Sequence, residues 1–193
     1  MSGIVGSYFN NRGSGPVAKL GTDGQVFTSA GAGLSQGFEA AAGGGKVLQV
    51  VQVYKQTSFT TASTTFVDVT GLTVDITPSS SDSKILVCGY VTAGCTNWAC
   101  AKMVRDSTDI VVSTAATGLQ DNITWSINST YAYGVAGYSA TLLDDPGTTN
   151  AVTYKVQAKV HSATLNFGQS NNNYNNDVTG PSPQTIVCME IGA

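Results

Sequence analysis

Residues 152–160, VTYKVQAKV, alternate without a break. Val152, Tyr154, Val156, Ala158 and Val160 fall on one side, and Thr153, Lys155, Gln157, Lys159 and the following His161 on the other. A period of two places successive side chains on opposite faces of an extended strand, whereas a helix needs apolar residues three and four apart. The same period recurs in LTVDIT, where Leu72, Val74 and Ile76 oppose Thr73, Asp75 and Thr77. VLQVVQVY from Val47, KILVCGYV from Lys84 and QTIVCMEI near the carboxyl end are dense in β-branched residues. KILVCGYV reads as the more buried of these. WACAKMVRD, IVVST, ITWSI, YAYGVAGYSATLL and ATLNF add shorter runs. PSSSDSK at 78–84 and DDPGTTN at 144–150 are turn clusters by chemistry. The pattern predicts roughly eight to ten short strands and no amphipathic helix, with turns at the ~8–12-residue intervals of sandwiches and barrels. The expected fold is all-β: an antiparallel β-sandwich of the jelly-roll kind over residues 46–193. The last run ends so near the carboxyl terminus that this end is expected to be tied into a sheet.

The chain before Lys46 is of another kind. Residues 1–45 hold twelve of the 22 glycines and few large apolar residues. Glycine loses the most backbone freedom on ordering, and little apolar burial is available here to offset it. Residues 1–45 are therefore expected to form an extended arm that orders only against the body, a sister chain or another protein. Ile4, Val5, Tyr8, Phe9, Val26, Phe27 and Phe38 are its spaced apolar anchors.

Composition excludes several function classes. Charged residues are 11% of the chain, against roughly 25% in an ordinary soluble domain. The net charge of -3 supplies no basic footprint for phosphates, so nucleic-acid binding is not expected. No apolar run reaches the ~18 residues of a membrane helix, and MSGIVGSYFNNRG lacks the layout of a signal peptide. Membrane insertion is not expected, and the chain is expected to be made in the cytoplasm.

Chemistry-bearing motifs are few. GSGPVAK lacks dinucleotide spacing, and GGGKV lacks the Ser or Thr of a P-loop. Cys88, Cys95, Cys100 and Cys188 do not have zinc-site spacing, and one histidine cannot complete a common site. They read as reduced thiols used as small hydrophobes, with a Cys95–Cys100 disulfide left open. His161 reads as a solvated surface residue. Asp144 and Asp145 are adjacent carboxylates that a calcium site or a glycosidase can use, but DDPG more simply makes a turn. NIT at 122 and NST at 128 match the glycosylation pattern by chance in such a chain. Trp98, Trp125, Tyr131, Tyr133 and Tyr138 read as core or subunit interface. The uncharged loop Asn171, Asn172, Asn173, Tyr174, Asn175 and Asn176 either forms a plain loop tip or offers amides and a stacking ring to a sugar or protein. No cofactor or metal is expected, and no catalytic residue is assigned.

Several segments carry a resemblance. GTDGQVFTSAGAG and FEAAAGGGKVLQVVQ, then TVDITPSSSDSKILV, DDPGTTNAVTYKVQ and the closing TIVCMEIGA, resemble tail-fibre-like virion proteins of phages, of the type found with marine and cyanobacterial hosts. The resemblance covers residues 20–193, and residues 95–140 match nothing in it. Its motifs are structural rather than catalytic. It implies a non-enzymatic virion protein, homotrimeric, whose amino-terminal arm attaches it to another virion structural protein. Loop 170–177 would face a host-surface glycan or protein. The alternative is a capsid decoration or head-fibre protein, favoured by how little shaft the arm can make. A polysaccharide-degrading enzyme is a third reading, for which no separated acid pair is legible.

Overall fold

The alternation in the sequence becomes thirteen strands and no helix among the described residues of a computed structural model, which are 25–28, 37–40, 46–128, 134–170 and 180–192. The chain divides into two units, Met1–Gly44 and Gly45–Ala193.

In the first unit, β1 (Gln25–Thr28) pairs antiparallel with β2 (Gly37–Ala40), with Val26 opposite Glu39 and Phe27 opposite Phe38. The extended backbone expected of the arm takes the form, at these residues, of a local pair that satisfies backbone groups within the arm itself.

The second unit holds two antiparallel sheets. Its strands are β3 (Val47–Lys55), β4 (Phe59–Thr61), β5 (Val67–Ile76), β6 (Lys84–Cys95), β7 (Ala99–Arg105), β8 (Thr108–Ile110), β9 (Trp125–Ile127), β10 (Ala136–Asp144), β11 (Val152–Val160), β12 (Leu165–Phe167) and β13 (Gln184–Ile191). The first sheet runs β3-β13-β6, with β10 on the far side of β6 and β12-β4 continuing past the end of β13. The second runs β5-β11-β7, with β9 and β8 sharing the outer edge of β7. Four pairings define the topology. β3 pairs with β13, β5 with β11, β6 with β10, and β7 with β9. Taken in chain order, these strands pair first with last, second with next to last, and so on inward. That is a long hairpin rolled over two sheets, the jelly-roll arrangement.

Alternation then builds the core. On β11 the burial pattern is regular along the whole strand, with Val152, Tyr154, Val156, Ala158 and Val160 inside. They meet Val69, Leu72, Val74 and Ile76 from β5, Ile85, Val87 and Val91 from β6, Met103 from β7, Trp125 and Ile127 from β9, and Ile186 and Cys188 from β13. Gly71 explains how β5 keeps its apolar side inward. Val69 has odd parity and Leu72, Val74 and Ile76 even, yet all four are buried. At Gly71 the backbone takes φ +80°, and the β11–β5 register shifts over the same stretch. A bulge with glycine in the left-handed region resets the phase.

Some boundaries differ from the sequence reading. LTVDIT is only the second half of β5. FTT at 59–61 carried too short a signal and forms β4. IVVST stops at Ile110, because Val111 adopts φ 55°, which a strand cannot continue. DDPG is not wholly a turn: Asp144 is the last residue of β10, in phase with the inward Tyr138, Ala140 and Leu142, and the chain turns after it, at Gly147 with φ 61°. The four cysteines are free thiols. Cys95 and Cys188 are buried as small hydrophobes, but Cys88 lies half-buried on the outward side of β6.

Candidate functional site

The two outer faces of the sandwich are chemically unlike. On the second sheet the outward side chains are charged and paired. Lys155 Nζ donates to Asp68 Oδ2 at 2.9 Å, Gln157 Nε2 to Asp68 Oδ1 at 2.7 Å, and Thr153 Oγ1 to Asp75 Oδ1 at 2.6 Å. Lys102 pairs with Asp109 and Lys159 with Asp121. Hydrogen bonds from Gln157 and Lys155 hold the Asp68 pKa below its ordinary value. Such a face is at home in water.

On the first sheet the outward face is apolar. Register places Val50 opposite Met189, Met189 opposite Leu86, and Leu86 opposite Leu143. One row of four apolar side chains thus crosses β3, β13, β6 and β10. Leu48 and Ile191 flank it on one side, Val187 and Cys88 on the other, and Tyr54 and Tyr90 lie one row further on. Val50 and Leu143 remain 55% and 56% exposed, and Leu48, Tyr54 and Tyr90 are also open. The polar side chains of this face find partners within it: Gln52 Nε2 donates to Thr185 Oγ1 at 3.0 Å, and Thr185 Oγ1 donates to the Val53 carbonyl at 2.8 Å. Of the charged residues on these four strands, Lys55, Asp144 and Glu190 are buried. Lys84 alone points outward, and it pairs with Asp145 at the rim. A contiguous apolar patch of this kind, rimmed by polar groups, marks an interaction surface.

Two buried polar clusters lie on the inner side of these strands. Asp144 Oδ2 accepts from Arg105 Nη1 and from Tyr154 Oη, both at 2.6 Å, and so ties the end of β10 to β7 and β11. Burial raises the Tyr154 pKa, and the neighbouring Asp144 carboxylate adds to it. Burial opposes the charge on Arg105, but the hydrogen bond to Asp144 and the attraction of its carboxylate together outweigh it and the pKa rises. Glu190, fully buried on β13, accepts from the Ser79 amide at 2.7 Å and hydroxyl at 2.6 Å, and from Gln49 Nε2 at 2.6 Å. Burial would raise its pKa, but the hydrogen bonds from Ser79 and Gln49 win and lower it to about 2.

The adjacent pair Asp144 and Asp145 is therefore not one site. The first carboxylate points in to Arg105 and the second out to Lys84. His161 is exposed, as expected of a surface position. Trp125 is buried in the core, Tyr138 packs against it, and Trp98 is exposed. Of the expected attachment residues, Ile4, Val5, Tyr8 and Phe9 lie outside the described residues, as do Tyr131, Tyr133 and the whole of Asn171, Asn172, Asn173, Tyr174, Asn175 and Asn176. Val26, Phe27 and Phe38 fall in β1 and β2. The apolar row was not singled out from sequence. Its signal was the near-continuous apolar character of KILVCGYV and VLQVVQVY, which marks strands covered on both faces.

No family model matches the chain, and no curated protein matches it. Among solved structures, the chain is similar to the enzymatically active domain of tailspike protein 4 of bacteriophage CBA120. Identity is 10% and the TM-score 0.30, over 75% of this chain and 20% of that one. The chain spans about a fifth of that protein's length, and a likeness of this degree identifies neither fold nor activity.

Proposed function

We propose that this chain is a non-enzymatic structural protein of a phage virion, a short homotrimeric tail-fibre-like appendage. In this reading its amino-terminal arm attaches it to another virion protein and its β-sandwich body associates with two sister copies. The sequence resemblance over residues 20–193 supports the virion assignment. The observation that carries the oligomer is the outward row Val50, Met189, Leu86 and Leu143. Its occupants are the two sister copies of this chain. Three such faces can converge on a threefold axis without burying an unpaired charge, because the one outward charge on these strands is already paired at the rim. A charged partner would find nothing on it to pair with.

The alternative reading, a capsid decoration or head-fibre protein, shares the fold and the trimer and differs in location. Copy number in purified particles, measured against the major coat protein by quantitative mass spectrometry, tests both. A ratio of a few per cent is expected for a tail appendage, and a sizeable fraction of the coat protein would move the assignment to the capsid. Absence from purified particles would sink both. Deletion of residues 1–45 tests the arm: the truncated chain is expected to stay out of particles, and normal incorporation would contradict attachment through the arm.

A further inference from the structure

A cleft of about 640 Å³ opens on the second sheet, on the opposite side of the sandwich from the apolar face. Its floor is a row across three strands, Ser126 opposite Cys100 and Cys100 opposite Lys159. One wall is Trp98 with His161, and these two are fixed to each other, because the His161 amide donates to the Trp98 carbonyl at 2.8 Å. Asn97 Nδ2 donates to Ser162 Oγ at 2.5 Å and fastens the same corner. The other wall is the loop carrying Gln120 and Asp121, closed by Gln120 N to the Thr117 carbonyl at 3.1 Å and Thr117 N to Gln120 Oε1 at 3.2 Å.

We infer that this cleft binds a neutral saccharide, a hexose or N-acetylhexosamine unit stacked on Trp98 and hydrogen-bonded by Gln120 and His161. The chemistry of the walls selects the ligand. Trp98 is 60% exposed and lines the cleft, and an exposed indole is a platform for the apolar C–H face of a pyranose. Amide, imidazole and hydroxyl groups converge on the same space, as hydroxyl recognition requires. The charges present are already neutralised, since Lys159 pairs with Asp121 and lies 5.1 Å from the Phe66 ring centre. A charged ligand would have to break that pair. Burial pushes the Cys100 thiol pKa up, so it remains a neutral thiol and not a nucleophile. The cleft lies within the roughly 300–1,000 Å³ of small-molecule sites.

Isothermal titration calorimetry of the full chain with the methyl glycosides of glucose, galactose, mannose and N-acetylglucosamine, and with glucuronate as a charged comparator, tests this. Saturable binding of at least one neutral sugar is expected, with Kd of about 1 mM or tighter, as a small exposed site allows. Trp98→Ala should weaken it at least tenfold and Gln120→Ala several-fold, with the circular dichroism spectrum unchanged. Lack of saturation with every neutral glycoside, unchanged affinity in Trp98→Ala, or a preference for glucuronate would overturn the inference. Binding should survive in the double variant Val50→Glu, Leu143→Glu whatever its oligomeric state, so the cleft is tested independently of the virion reading.

Discussion

At the scale of single residues, the informative positions are those that break a local rule. Gly71 holds φ +80° in the middle of β5. A β-branched side chain there is strained, so Gly71→Val should cost about 1–3 kcal/mol, read as a fall in the urea midpoint. Asp144 lies in the core with Arg105 and Tyr154 as partners. Asp144→Ala leaves the Arg105 guanidinium without its carboxylate. Removing one partner of a fully buried pair costs about 3–5 kcal/mol; because Arg105 is partly exposed, the loss in urea unfolding should fall near the lower end. Replacing Arg105 by Met in the same chain should recover part of it. Glu190 makes a pH prediction. Its folded pKa, about 2, lies below the ordinary 4.5. Its contribution is thus fully present above pH 4.5 and is lost as pH falls from there toward 2. Glu190→Gln should flatten that part of the stability–pH curve, and an unchanged curve would remove Glu190 as its cause. None of these roles was read from the sequence. Asp144 sat in a turn-like DDPG, and only its parity with Tyr138, Ala140 and Leu142 pointed inward. Glu190 owes its place to Ser79 and Gln49, far away in the chain.

At the scale of elements, most of the fold was legible, because strand periodicity is local. The β11 alternation, the β5 phase from Leu72 to Ile76 and the carboxyl-terminal strand were all readable as written. What was not legible depended on pairing. β4 is three residues long and is held by β12, and β8 ends where Val111 turns left-handed. β13 lies between β3 and β6 and hydrogen-bonds to both. Removing residues 184–193 would expose two strand edges and take Ile186 and Cys188 out of the core. That truncated chain should be insoluble or lack cooperative unfolding, whereas removal of residues 1–45 should leave the transition of the body in place. A cooperative, soluble chain without β13 would contradict the sheet order.

At the scale of the whole molecule, the two faces of the sandwich divide the work. The second sheet carries paired charges and the cleft beside Trp98. The first carries an apolar row that water does not suit. The sequence showed the low charge of the chain but not that Leu48, Val50, Tyr54, Tyr90 and Leu143 share one exposed face. That follows only once register sets Val50, Met189, Leu86 and Leu143 in line. The most direct measurement is the mass of the full chain in solution, by light scattering after size exclusion, compared with the double variant Val50→Glu, Leu143→Glu. Three times the 19.8 kDa protomer is expected for the native chain. A folded monomer is expected for the variant, because the converging faces would bury unpaired carboxylates. A native chain that runs as a monomer, or a variant that keeps the trimer, would contradict assembly through this face.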